Sequence, residues 1–369
     1  AYQIIAADEA GNPLWDSGKV KSDSMEVSWG GPAVAPKTKV LWKVRLWDEA
    51  GTAGDWSEAT FETGIDRWEA RWITGNYRVH RKKRYPVDCF RKKFSLSRAK
   101  KARLYITACG LYEAHINGQR VGDFVRAPGI TDYRKRVQYQ TYDVTDLLKD
   151  GENTLTVQLA DGWYRGSTGA WGLKNQYGTE TKFLAQLEIT DEKGHVQVIP
   201  TDESWDWSND GPIRFADNKD GEIVDARMAP SYAGKANVTS HSVTPSASNN
   251  VPVTEHEHLT AEKITTPSGK TVLNFGQNIA GYLSFSLMAK AGQVVKLRFG
   301  ELLDENGEFT QKNIQLSRKD FITPRQEVVY TCKEGENHYK TTFAIFGFQY
   351  VLVETEVPVS AGDFTAIAV

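Results

Sequence analysis

Apolar and polar residues alternate with a period of two over many short stretches of this chain. Leu104, Ile106 and Ala108 alternate with Arg103, Tyr105 and Thr107, a spacing that sends successive side chains to opposite faces of a strand. A second predicted strand, Tyr112 to Ile116, runs into Asn117-Gly118, where both positions tolerate positive φ and suit a two-residue hairpin. Leu155, Val157 and Leu159 predict a third strand, led by the turn Asp150-Gly151-Glu152-Asn153. Between them, residues 143–149 (DVTDLLK) are too few for an independent helix, although Asp143 or Thr145 could cap a single turn. The same texture recurs in YQIIAA and VLWKVRLW near the start, FLAQLEIT and HVQVIPT in the middle, and QEVVYTC and TTFAIFGFQYVLVET near the end. No segment sustains helical periodicity. Short alternating strands joined by Gly, Asn and Asp turns predict an all-β chain of antiparallel sandwiches.

At 369 residues the chain exceeds one sandwich, and several domains are expected. Residues 1–65 resemble a fibronectin type III domain that starts one strand late, and so one truncated at its N-terminus. Trp42, Arg45, Trp47 and Trp56 are expected to form a stacked Arg–Trp cluster in it, with a structural role. Residues 66–102 read as a connector and the entering strands of the next unit. They include the basic run His80–Arg84, which in a chain of net charge −2 reads as a solvated loop. Residues 103–236 read as a jelly roll, 237–250 (NVTSHSVTPSASNN) as a polar linker, and 251–369 as a further β-sandwich.

Hydrophobic content of 40% and charged content of 25% are ordinary for a globular protein, whereas aromatics, with 11 Trp and 15 Tyr, are high. Sandwich cores favour aromatics, and so do carbohydrate surfaces, because pyranose faces lie flat against rings. The near-neutral charge gives no reason to expect nucleic acid or an anionic membrane as partner, and no apolar run approaches the length of a membrane span. Cys89, Cys109 and Cys332 are far apart and odd in number, so neither a disulfide framework nor a metal site follows. The N-terminal AYQIIAADEAGNPLWDSG already reads as strand and turn, so no signal peptide is expected within the chain.

No catalytic constellation emerges. Inverting glycosidases need two carboxyls about 6.5–9.5 Å apart, one of them kept protonated. Asp161, Asp217, Asp220, Glu222 and Asp225 are candidates, but among 47 acidic residues some pair meets that distance by chance. Nucleophile elbow, triad, P-loop and dinucleotide patterns are missing. Binding is the sharper expectation. Asp161-Gly162-Trp163-Tyr164-Arg165-Gly166 follows directly on a strand, and its glycines permit a tight turn that would splay Trp163 and Tyr164 at a sheet end. A second Gly-rich loop, GAWGLKNQYG, carries Trp171, Asn175, Gln176 and Tyr177. A sugar site needs a ring for the pyranose face and Asp, Asn or Arg for the hydroxyls, and Asp161, Arg165, Asn175 and Gln176 are suitably placed in sequence. Alternatively, the rings are core residues and the glycines only turns.

GLYEAHINGQRVGD, PGITDYRKRVQYQTYDVTDLL, LADGWYRG and GPIRFADNKDGEIVDAR together resemble the N-terminal jelly roll of bacterial α-L-rhamnosidases of glycoside hydrolase family 78. FGQNIAGYLSF, GELLDENGEF and FAIFGFQYVLVE resemble the concanavalin-like sandwich that follows it. The resemblance implies that catalysis belongs to a following (α/α)6 barrel and that this chain, ending at DFTAIAV near the linker to that barrel, is a non-catalytic part cut at both ends. On that basis it is inactive alone, and its partners are a rhamnosylated glycan and its own catalytic domain. Its location is then periplasmic or extracellular. Some members of the family hold rhamnose in the jelly roll through calcium bound by an Asp-Asn pair. The nearest match here is Lys174-Asn175, with lysine in the acid's place, and Asp217-Asn218-Lys219-Asp220-Gly221-Glu222 lacks EF-hand spacing, so no calcium or other cofactor is expected. A purely structural platform for the barrel, or an accessory part of another glycosidase, is the alternative.

Overall fold

The structure, a computed structural model, describes residues 1–169, 172–318 and 321–369. The chain separates after Trp68 into two units, Ala1–Trp68 and Glu69–Val369. The first is built on a four-stranded antiparallel sheet in the order Pro13–Asp16, Tyr2–Asp8, Lys39–Leu46, Ser57–Glu62. The period of two in KVLWKVRL divides its side chains between the faces. On one face the Arg45 guanidinium lies 4.6 Å from the Trp47 ring and 4.7 Å from that of Trp56, with Lys43 also over Trp56 at 5.0 Å. Trp42, expected in that stack, alternates to the other face. There it lines an open apolar groove of about 990 Å³ with Trp15, Trp29, Val44 and Phe61.

The second unit begins as a jelly roll of two facing sheets. One sheet runs in the order Gly234–Lys235, Asp206–Ser208, Asp88–Leu96, Gly151–Ala160, Leu111–Ile116, Gln119–Arg120. The other runs Asn237–Val238, Ile73–Thr74, Lys182–Asp191, Ala99–Cys109, Gln138–Asp143, Ser246–Ala247. Leu104, Ile106 and Ala108 from the second sheet meet Leu155, Val157 and Leu159 from the first in one core that also holds Phe90, Phe183 and Trp205. Each such Leu, Ile, Val or Phe side chain contributes about 1.5–3 kcal/mol on burial, an upper figure for a compact unfolded chain. The opposite face of the 99–109 strand is covered too. The Thr107 hydroxyl donates to the Gln138 carbonyl at 2.6 Å, and Tyr105 meets Tyr139 edge-on at 6.2 Å. Asn117 and Gly118, at φ 52° and 82°, form the two-residue hairpin that pairs Ile116 with Gln119. Residues 145–147 form one 3₁₀ turn, and the Asp143 carboxylate ahead of it accepts from the Thr145 amide at 3.1 Å.

The remainder is organised around a ten-stranded sheet with the 19-residue strand Thr271–Ala289 at its centre. Ile213–Asp217 and Gly221–Asp225 belong to this sheet rather than to the jelly-roll sheets, because Gly221–Asp225 runs parallel to Glu327–Thr331, from Gly221 opposite Glu327 to Asp225 opposite Thr331. Gly221 is required there. Its φ is +112°, and a Cβ would fall 1.7 Å from the Glu327 carbonyl oxygen. The polar stretch 237–250 is also hydrogen-bonded: Asn237–Val238 pairs with Ile73–Thr74, and Ser246–Ala247 with Gln138–Tyr139. All three cysteines are buried free thiols. No helix among the described residues is long and apolar enough to cross a membrane.

Candidate functional site

The strand Gly151–Ala160 ends at Asp161, and the chain turns at once into a single α-helical turn, Gly162–Arg165. Gly162 makes this possible at φ +52°, where a Cβ would approach Leu111 Cγ to 2.7 Å and the Gly110 carbonyl carbon to 2.9 Å. A helical turn puts residues four apart on one side, so Arg165 Nε donates back to Asp161 Oδ1 at 2.7 Å. Trp163 and Tyr164 are not splayed together at the sheet end. Trp163 packs against the core of the ten-stranded sheet, with the Arg126 guanidinium 4.5 Å above its ring. Tyr164 is buried and meets Tyr133 edge-on at 5.3 Å.

Arg165 is only 5% exposed, and its guanidinium reaches into a buried polar network. Nη1 donates to the Tyr77 hydroxyl at 2.9 Å, and that hydroxyl donates to Asp88 Oδ2 at 3.2 Å. Trp207 Nε1 donates to the other Asp88 oxygen at 2.9 Å. Burial works against the Arg165 charge, but Asp161, Tyr77 and Asp88 outweigh it and hold its pKa above the usual value. Burial pushes the fully enclosed Asp88 carboxyl up to about 6, against the pull of Arg165 and the bonds from Trp207 and Tyr77.

Two further segments close on this end. In the 217–222 loop, Asp217 Oδ2 accepts from the Ser167 amide at 2.8 Å, and Asp220 Oδ1 accepts from the Thr323 hydroxyl at 3.1 Å. Arg84 binds both carboxylates, at 2.9 Å from Asp220 and 3.8 Å from Asp217, and lies 4.5 Å from the Phe215 ring. Glu222 accepts from the Tyr339 hydroxyl at 2.8 Å and from the amides of Thr342, Phe343 and Ala344 at 3.0, 2.5 and 3.2 Å. Asp225 holds Arg227 at 2.7 Å. The carboxylates weighed as acids or bases are therefore each engaged by fixed donors. The basic run is more than a solvated loop: it forms one wall of the cleft through Arg81, Lys83 and Arg84.

The Gly-rich loop supplies the facing wall. Asn175, at φ +58°, donates its backbone amide to the Arg165 carbonyl at 3.0 Å and its side-chain amide to the Arg81 carbonyl at 3.3 Å. Tyr177 is half-buried, edge-on to Tyr133 at 5.1 Å, with Arg134 5.3 Å from its ring. Trp171 lies outside the described residues. Asp161, Arg165 and Asn175 thus converge on one small cleft with Lys174, Gly166 and Asp217, whereas Trp163, Tyr164 and Tyr177 face elsewhere. Sequence reasoning passed over Arg81, Lys83 and Arg84 as members of the cleft. Their only local signal was the charge run itself, which does not reveal what it faces.

The cleft does not suit calcium. Ca²⁺ takes about 6–8 oxygen donors. Here Asp161 is bonded to Arg165, Asp217 is bonded to backbone amides with Arg84 beside it, and five cationic side chains line the same space. Among the described residues no group of three or more His, Cys, Asp or Glu is placed to hold a metal ion.

Comparison with known proteins gives one consistent result along the chain. Residues 1–67 match the family described as Rha78A-like, N-terminal immunoglobulin domain. Residues 97–266 match the Alpha-L-rhamnosidase N-terminal domain, and residues 264–369 the Bacterial alpha-L-rhamnosidase concanavalin-like domain. An alpha-L-rhamnosidase of Alteromonas sp. (strain LOR) is 33% identical over 394 residues, covering 97% of this chain and 42% of that protein. The structure of an alpha-L-rhamnosidase from Aspergillus terreus superposes over 100% of this chain and 44% of that one, with TM-score 0.85 and 32% identity. That of a Streptomyces avermitilis alpha-L-rhamnosidase complexed with L-rhamnose covers 100% and 53%, with TM-score 0.86 and 26% identity. The chain spans 42% of the Alteromonas relative and 40% of one from Formosa agariphila.

Proposed function

Because the chain belongs, as their N-terminal β-domains, to the α-L-rhamnosidases of glycoside hydrolase family 78, we propose that it holds rhamnose-bearing carbohydrate for a catalytic domain elsewhere in the enzyme. That enzyme would hydrolyse terminal α-L-rhamnosyl residues of glycans or glycosides, in the periplasm or outside the cell. The single observation carrying this reading is that three rhamnosidase domain families follow one another over nearly the whole chain, in order. In the jelly roll, the cleft at Asp161, Arg165 and Asn175 offers hydroxyl partners at one sheet end. Trp171, on the same Gly-rich loop in the sequence, is the ring proposed for a pyranose face.

A structural platform is the second reading, and the burial of Tyr164 and Arg165 favours it for those two residues. Their network fixes the direction of the 161–166 turn and needs no ligand to be satisfied. The two roles are compatible, since a rigid turn positions the loop above it. The expected outcome is saturable binding of L-rhamnose by the chain, with no release of rhamnose from an aryl rhamnoside. Hydrolysis by the chain alone at an enzymatic rate would overturn the division between holding and cleaving.

A further inference from the structure

The cleft that is wrong for calcium has a charge of its own. It is lined by the cationic side chains Arg81, Lys83, Arg84, Arg165 and Lys174 against the two carboxylates Asp161 and Asp217. Arg165 is bound to Asp161, and Arg84 to Asp217 and Asp220. Among the described residues, no ion pair or side-chain hydrogen bond reaches Arg81, Lys83 or Lys174. Three cations therefore line one opening without a direct ion pair, and the carboxylates near them, Asp161, Asp217 and Asp220, are each bound to Arg165 or Arg84. Partial burial, then the Arg84 charge, lowers the Lys174 pKa against the opposing pull of Asp217, Asp220 and Asp161. Two of the lining groups are rigid: Arg165 and Asp217 are 5% and 2% exposed. The enclosed space is about 10 Å³, room for one oxygen-sized group, so a ligand would insert one atom and rest the remainder across the mouth.

We propose that this cleft receives an anionic substituent, a carboxylate or a sulfate ester, carried by the saccharide that the jelly roll holds. Lys174 and Arg81 face it from the two walls, Lys83 adds long-range attraction, and the buried Asp161–Arg165 pair fixes the floor. Lysine at position 174, which makes a divalent cation unfavourable, is what makes an anion favourable. The ligand class that follows is an acidic, rhamnose-containing glycan rather than a neutral one. This inference rests on the carbohydrate-binding reading above, and the test separates the two.

The test titrates the chain calorimetrically with L-rhamnose, with a rhamnosyl-uronate disaccharide, with the methyl ester of that disaccharide, with a rhamnose sulfate ester, and with inorganic sulfate. Each is run at low and at physiological salt. The free acid is expected to bind about tenfold more tightly than its ester at low salt, with the margin narrowing as salt rises. Whether the sulfate ester also gains over L-rhamnose identifies which anionic group the site takes. Lys174→Met with Arg81→Gln, both exposed positions, is expected to abolish the margin, so that within the variant the free acid binds no more tightly than its methyl ester, with the melting temperature unchanged. Equal affinity for charged and uncharged ligands overturns this inference and leaves the carbohydrate reading intact, as does a margin that survives the double substitution. If no saccharide binds, both fall, and binding of inorganic sulfate alone would mark an adventitious ion only.

Discussion

Substitution of Asp88 by asparagine tests the buried network beneath the cleft, because Asp88 is fully enclosed and its carboxyl is pushed up to about 6 from 3.8 by burial. That difference corresponds to about 3 kcal/mol between the protonated and ionised forms within the fold. The folded pKa lies above the unfolded one, so the fold retains a proton that the unfolded chain releases. The neutral carboxyl's contribution is therefore full below about pH 3.8 and is lost as pH rises through about 6. An amide is uncharged throughout, can still accept from Trp207 Nε1, and can donate to the Tyr77 hydroxyl. Asp88→Asn is thus expected to gain about 2.5 kcal/mol relative to wild type between pH 4 and pH 7, whatever constant offset the lost geometry introduces. The assay is denaturant unfolding at several pH values, with hydrogen exchange of the 88–96 and 151–160 amides reporting on the jelly roll alone. Parallel stability curves for the two proteins over that range would refute the assignment of a protonated, enclosed carboxyl.

Two other substitutions probe what joins and shapes the second unit. Glu222→Ala leaves the Tyr339 hydroxyl and three backbone amides without their acceptor, so a loss of about 3–5 kcal/mol is expected in thermal or denaturant unfolding. Glu222→Gln, which keeps an oxygen for the three amides, should recover part of it, and an alanine variant within 1 kcal/mol of wild type on the order-of-magnitude scale of such losses would contradict this role. Gly162→Ala forces a side chain into a left-handed turn, with its Cβ at 2.7 Å from Leu111 Cγ. It should cost about 2–4 kcal/mol and displace the 161–166 turn, visible as weakened L-rhamnose binding.

The strands and turns of this protein were legible because they are set locally. The alternation at 103–108 places Leu104, Ile106 and Ala108 in the core, and Asn117-Gly118 supplies the two positive φ values its hairpin needs. What alternation could not show was that Tyr105 and Thr107 are buried too, since that depends on a second layer packed from elsewhere in the chain. The placement of 213–225 was hidden for a similar reason: its partner strand lies about a hundred residues later and runs parallel. At the candidate site, the i,i+4 spacing of Asp161 and Arg165 carried the information for their ion pair once the turn between them is helical. The expected stacking of Trp42 with Arg45 failed on the same period of two that predicted the strand. The basic run gave its charge in the sequence but not its partner wall, because the approach of Arg81 to Asn175 is a tertiary fact.

The most direct measurement is calorimetric titration of the chain with L-rhamnose, with and without EDTA, for wild type and for Asn175→Ala. The account predicts saturable binding that EDTA leaves unchanged and that the alanine variant weakens several-fold. No binding at millimolar sugar, or binding that EDTA abolishes, would contradict it.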